Sequence, residues 1–173
     1  MDRRDTIAQG ILSCKALTAR YYKGFDDTNH TRQAPGLPNH LAWTLGHCAL
    51  IMSRLALSID ATPVPNTDFI AASHTNDRER FGTEVVCFGS PSPAATAEWP
   101  PMARCVHIYE SAIDRLAAAV RAVDDRKLDS TIKWGAVEFP LWQLGLRMLF
   151  HNGSHVGQIA DLRRAFNMPS VFA

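Results

Sequence analysis

Two histidines four residues apart, His151 and His155, stand in the stretch FHNGSHVGQIADLRR (150–164). On a helix, residues four apart share one face, so both imidazoles can converge on a single partner. They also fill two successive places in an apolar stripe of Leu141, Leu144, Met148, His151, His155, Ile159, Leu162 and Phe166. The rings could be satisfied by hydrogen bonds in a polar core layer, or they could share a divalent metal ion. Leaving one buried polar ring unpaired costs roughly 1–3 kcal/mol. Two adjacent stripe positions carry that cost here, which favours a strong common partner.

Two ligands make a weak site, so the metal reading needs a third from a facing helix. The candidates are His30, His40, His47, His74 and His107. His47 sits mid-helix at the edge of an apolar stripe and is the first choice. His40, two turns earlier on much the same side, is a candidate for hydrogen bonding to a ligand, or for a fourth ligand. His107 follows the core position Val106 and should lean away from the seam. His30 and His74 fall in loops and are expected in solvent. Gly46, Gly153 and Gly157 flank these histidines, and each costs about 1 kcal/mol in a helix interior relative to alanine. They would admit a neighbouring helix or leave space over an ion.

Other chemistries drop out. The HExxH peptidase pattern needs Glu where Asn152 stands, and an amide cannot act as a general base. The Glu-x-x-His pairs of di-iron bundles are absent, and so is GxSxG. Haem fits poorly, because histidines four apart on one helix cannot take opposite axial positions. Three imidazoles suit zinc, nickel, iron(II), cobalt or copper.

The elements that must position these rings read as four helices. The first is predicted from about Asp5 to Tyr22, with Ile7, Ile11, Cys14, Leu17 and Tyr21 on one face. The second starts near Pro38-Asn39, with Asn39 as N-cap, and its stripe is Leu41, Leu45, Cys48, Met52 and Leu55. The third begins at Pro100-Pro101, where proline's missing N–H costs nothing. Its stripe is Met102, Val106, Tyr109, Ile113, Leu116, Val120 and Val123, the spacing of a bundle seam. The fourth runs from Pro140 to about Phe166, roughly 40 Å. Thr131–Trp134 and Val137–Phe139 flank Gly135-Ala136 as a small hairpin. About forty residues separate the second and third helices, an uncommon length for a connection. Within it, Asp77–Phe81 reads as a helical turn and Glu84–Phe88 as a short strand. The fold class is therefore all-α, a four-helix bundle forming one domain over residues 1–173.

Composition agrees. Apolar residues make up 46% of the 173, Lys+Arg is 18 and Asp+Glu is 17, for a formal net charge of +1. That balance creates no broad field for nucleic acid or an anionic membrane, although Arg163 and Arg164 could form a local basic patch. No apolar run approaches the ~20 residues of a membrane span. No apolar segment follows the arginines of MDRRDTIAQGILSCK, so a cytoplasmic protein is expected. Cys14, Cys48, Cys87 and Cys105 form no CxxC pair and read as free thiols.

NHLAWTLGHCA (39–49), EWPPM (98–102) and HNGSHVGQIADLRR (151–164) together give the chain a resemblance to the DinB/YfiT-like superfamily of metal-dependent enzymes. The resemblance covers nearly the whole chain. It implies a bundle of up-down-down-up topology holding one divalent ion, zinc, nickel or iron, through three histidines. Those fall on His47, His151 and His155. Gln158, seven after His151, would hydrogen-bond a ligand. The resemblance also implies a homodimer. The activities it implies are transfer of a low-molecular-weight thiol to an electrophile and thiol-dependent isomerisation.

Three protein ligands with open positions are the usual form of a catalytic zinc site, whereas structural sites are closed by four. The ion could hold a thiol as its thiolate at neutral pH. Alternatively it could lower the pKa of bound water towards about 7 and support hydrolysis. No Asp or Glu lies within four residues of a proposed ligand on the right face, so no general base can be named, which favours the thiol route. Trp43 and Tyr109 could wall an apolar pocket for the electrophile or simply pack in the core. The contrasting possibility is a non-catalytic bundle whose ion fastens the second helix to the fourth.

Overall fold

The computed structural model describes residues 2–37, 39–63 and 99–172. Its elements are α1 (Arg3–Tyr22), α2 (Leu41–Asp60), α3 (Met102–Ala122), the short α4 (Asp125–Asp129), a hairpin of β1 (Thr131–Trp134) and β2 (Val137–Pro140), and α5 (Leu141–Ala165). The fold is thus mostly helical with one small sheet. The expected turn at Asp77–Phe81 and strand at Glu84–Phe88 lie outside the described residues.

α1 starts where Asp2 accepts the Asp5 N–H. Its expected stripe holds for Ile7 and Ile11 and then rotates: Leu17 is 52% exposed, and Thr18 is buried instead. The cause is polar. The Thr18 hydroxyl lies 2.9 Å from the Tyr109 hydroxyl, which donates to Asn152 Oδ1 at 2.9 Å. Asn152 Nδ2 in turn donates to Met148 O at 2.8 Å. This interior chain links α1, α3 and α5. Of the two expectations for Tyr109 it fits core packing, since the ring is buried and its hydroxyl is hydrogen-bonded.

α2 is capped by His40, not by Asn39: His40 Nδ1 accepts the Trp43 N–H at 3.2 Å. The helix is buried nearly all round rather than along a stripe, because it packs on both α3 and α5. With a mean hydropathy of 1.3 over its best window, it is long and apolar enough to cross a membrane by length and composition. This amends the reading that no run approaches that length. However, 78% of the window is buried inside the fold, and a core helix passes the same test.

α3 begins after Pro101, and the Met102 N–H is taken by Asp27 Oδ1 at 2.6 Å. Tyr109, Ile113, Leu116 and Val120 are buried as expected, while Val106 is only partly so. The hairpin forms in the expected place, pairing Trp134 with Val137 and Thr131 with Pro140. Gly135 supplies the positive φ of 66° that its turn requires. α4 has too few residues to show a period and was not anticipated. Asp124 caps it by accepting from Lys127 N.

α1 packs on α3 and α5, as does α2. Contact registers give the senses. A Cβ on Gly145 would meet Ile7, and one on Gly10 would meet Leu149, so numbers rise together along α1 and α5. Asn39 meets Gln158 and Met52 meets Asn152, so α2 and α5 run opposed. Arg4 bonds Val123 O and Tyr22 bonds Glu110, so α1 and α3 also run opposed. Arg163, read as part of a basic patch, is instead buried. Its guanidinium donates to Tyr21 O, Lys23 O and Pro169 O at 3.1, 2.5 and 2.7 Å, clamping the end of α1 to the tail.

Candidate metal centre

His47 comes from the middle of α2, and His151 and His155 from successive turns of α5. The opposed register of these helices brings the three rings together. His47 and His155 are buried and His151 is half-buried. Ring centroids are 5.2 Å apart for His47–His151, 5.0 Å for His47–His155 and 4.6 Å for His151–His155. The Nε2 atoms of His47 and His151 are 3.2 Å apart. One ligand atom from each of the three lies within 4.8 Å of the others, and among the described residues no carboxylate or cysteine joins them.

These distances suit a cation. At zinc–nitrogen bonds of 2.0–2.1 Å, tetrahedral ligand nitrogens stand roughly 3.3 Å apart, and the His47–His151 pair is already at that separation. A single proton can bridge one nitrogen pair only, whereas a metal ion can take a lone pair from each of three rings. The donor set is all imidazole, which fits a borderline divalent metal and not a hard one.

The surroundings orient the rings. Trp43, one turn before His47, stacks on it with centroids 4.5 Å apart and planes 9° apart, and meets His155 edge-on at 6.0 Å. Trp43 is fully buried, so the tryptophan braces a ring where an open pocket wall was one of two expectations. Gln158 Oε1 lies 2.9 Å from His155 Nδ1. With the oxygen accepting, Nδ1 carries the proton and Nε2 keeps its lone pair for an ion. Asn39 Nδ2 donates to the same Oε1 at 3.4 Å.

The remaining candidates lie elsewhere. His40 is outside the three-ring group: one nitrogen caps α2, and its ring meets Trp99 edge-on at 4.4 Å. Burial, with a smaller contribution from His30, pushes its pKa down to about 4. His30, expected in solvent, is buried, with Nε2 2.8 Å from Pro100 O, because the segment after α1 folds over the start of α3. His107 is exposed, as its place beside Val106 suggested. His74 lies outside the described residues.

Of the two roles expected for the glycines, the first is not found at Gly153 or Gly157: among the described residues a Cβ on either would meet nothing within 4 Å, and no helix packs there. The close approach is at Gly145, where a Cβ would stand 2.8 Å from Ile7 Cγ2. The contacts of two residues are not legible in the sequence: Asn39 has the character of a cap, and Asn152 stands where a peptidase would need Glu. Both contacts cross between helices, so their only sequence signal was a polar residue beside an apolar stripe.

The family model of the DinB superfamily matches residues 13–159, a span that includes all three histidines and Gln158. No curated protein and no solved structure matches the chain.

Proposed function

We propose that this chain, which belongs to the DinB superfamily, binds one divalent ion through His47, His151 and His155 and transfers a low-molecular-weight thiol to an electrophile. The framework we propose is an up-down-down-up bundle, which the contact registers of α1, α2, α3 and α5 support. The observation that carries the proposal is the meeting of three imidazoles from two helices, with Nε2 atoms as close as 3.2 Å and no fourth His, Cys, Asp or Glu in the group among the described residues. Three donors leave coordination positions open, the form of catalytic rather than structural sites.

A bound zinc, nickel or iron(II) ion would supply the Lewis acidity that keeps a thiol deprotonated at neutral pH. The chain's own residues do the rest. Trp43 holds the plane of His47, and Gln158 holds the proton of His155 on the nitrogen away from the ion. Burial of His47 and His155 limits competition from water for their lone pairs. Hydrolysis is the second reading. The lack of a described carboxylate in the group supports the thiol route over it, since no such group stands ready to take a proton from water.

The first test is elemental analysis of protein purified without a histidine tag, expected to find about one ion per chain, as a single three-donor site requires. His151→Ala should lose the ion and His107→Ala should keep it. Equal effects would show that the ligands are misassigned. The second test titrates a panel of thiols into cobalt-loaded protein. A sulfur-to-cobalt charge-transfer band supports the thiol route. No band with any thiol, alongside turnover of an ester or amide, supports hydrolysis. Neither response leaves a binding bundle.

A further inference from the structure

We infer that Asn39 and Gln158 are positioning residues for the histidine group: Gln158 keeps the ring proton of His155 on Nδ1, and Asn39 keeps the Gln158 carboxamide turned to do so. This rests on the metal-binding reading above. A neutral imidazole has one N–H and one lone pair, and the partner of one nitrogen decides which the other presents. Gln158 Oε1, 2.9 Å from His155 Nδ1, calls for the Nδ1–H form. A carboxamide can be turned either way, however. With its NH2 facing the ring, Nδ1 would have to accept, the proton would move to Nε2, and that lone pair would be lost to an ion.

Asn39 faces the same point with its NH2. Its Nδ2 donates to Oε1 from 3.4 Å, so the oxygen is favoured at the point where both contacts meet. Asn39 is 2% exposed, and its Oδ1 is buried with no hydrogen-bond partner among the described residues. Packing alone would be better served by an apolar side chain than by a buried amide with an unpaired oxygen. Asn39 enters from the residue before the α2 cap and Gln158 from α5. The relay therefore spans the same two helices that the ion would join.

The test uses Gln158→Ala, Gln158→Glu, Asn39→Ala and the double variant Asn39→Ala/Gln158→Glu. Zinc and cobalt affinities are measured by competition with a chromophoric chelator. The His155 tautomer is read from long-range proton–nitrogen NMR of the metal-free protein. Gln158→Ala should weaken binding about 10- to 100-fold, the usual effect of losing a ligand's hydrogen-bond partner, and should shift His155 towards Nε2–H. Asn39→Ala should shift both in the same direction by less. Gln158→Glu should bind at least as well as the parent, because both carboxylate oxygens accept.

The double variant should match Gln158→Glu alone, since a carboxylate has no wrong sense for Asn39 to prevent. If the double variant keeps the Asn39→Ala loss, Asn39 is a packing residue and the inference fails. Parent-like binding by Gln158→Ala also overturns it. A parent that binds no ion defeats the metal reading, and the tautomer then judges the relay alone: Nδ1–H supports it and Nε2–H overturns it. Should Asn39→Ala not fold, the isosteric Asn39→Asp replaces it in the NMR measurement. An acceptor there should draw the Gln158 NH2 towards itself and move His155 to Nε2–H; an unmoved tautomer overturns the inference.

Discussion

His40 is a helix cap made from a base, and that has a consequence for pH. Its Nδ1 can accept the Trp43 N–H only while unprotonated, and burial holds its pKa at about 4 against an ordinary 6.5. The positive end of the α2 dipole disfavours the imidazolium as well. Above pH 6.5 the ring is neutral in both states and its titration takes nothing from stability. As pH falls from 6.5 towards 4, the unfolded chain takes up a proton that the folded chain refuses, and stability on the order of 3 kcal/mol is lost. Asparagine at this position keeps an acceptor for the cap and does not titrate. His40→Asn should therefore flatten the dependence of the urea midpoint on pH between 6.5 and 4, and parallel slopes for the two proteins would refute the assignment. The sequence offers His40 as a hydrogen-bond partner of a ligand or as a fourth ligand, because a ring at the head of a helix can serve a ligand or a backbone N–H equally well. Choosing between them requires knowing that α2 starts at Leu41.

Helices in this protein carry glycine where alanine would serve and alanine where glycine would. Ala61 ends α2 in the left-handed region at φ 61°, a conformation that costs a side chain roughly 1 kcal/mol and glycine almost nothing. Gly153 sits exposed inside α5 with open space about its missing Cβ among the described residues. Ala61→Gly and Gly153→Ala should each raise stability by up to about 1 kcal/mol in thermal melts. Gly145→Ala should do the opposite. Its Cβ would press on Ile7 Cγ2, a branch methyl that cannot swing away, and overpacking typically costs 1–3 kcal/mol. A Tm for Gly145→Ala at or above the parent would show that α1 yields more readily than this geometry allows. The glycines of α5 look alike in sequence. What separates Gly145 from Gly153 is which face α1 covers, and that depends on the pairing of two helices more than a hundred residues apart.

The three-histidine group also joins the two halves of the chain, since His47 precedes the long connection and His151 and His155 follow it. An ion held there binds the folded chain and has no preformed site in the unfolded one. At a hundredfold excess over its dissociation constant it adds about 2.7 kcal/mol. For a chain of this size that is a rise in Tm of roughly 5–10 °C. Zinc should produce such a rise, a chelator should remove it, and His151→Ala should respond to neither. A parent melt indifferent to zinc and chelator would remove the ion from the account of the fold. Up-down-down-up order was implied by resemblance, and the register contacts that bear on it come from side chains on separate helices. No spacing within one helix contains that information.

Local period is what a chain writes plainly. Apolar spacing and proline placed the starts of α3 and α5 within one or two residues, glycine marked the hairpin turn, and two histidines on one apolar face raised the question of a shared partner. All of these depend on neighbours within a few residues, where backbone geometry is regular. Which way His40, Asn39 and Asn152 turn, why Thr18 displaces Leu17 from the core, and that His47 faces the other two rings were decided by helix against helix. Those outcomes balance desolvation against hydrogen bonds between residues far apart in the chain, and the balance exists only once the helices have met.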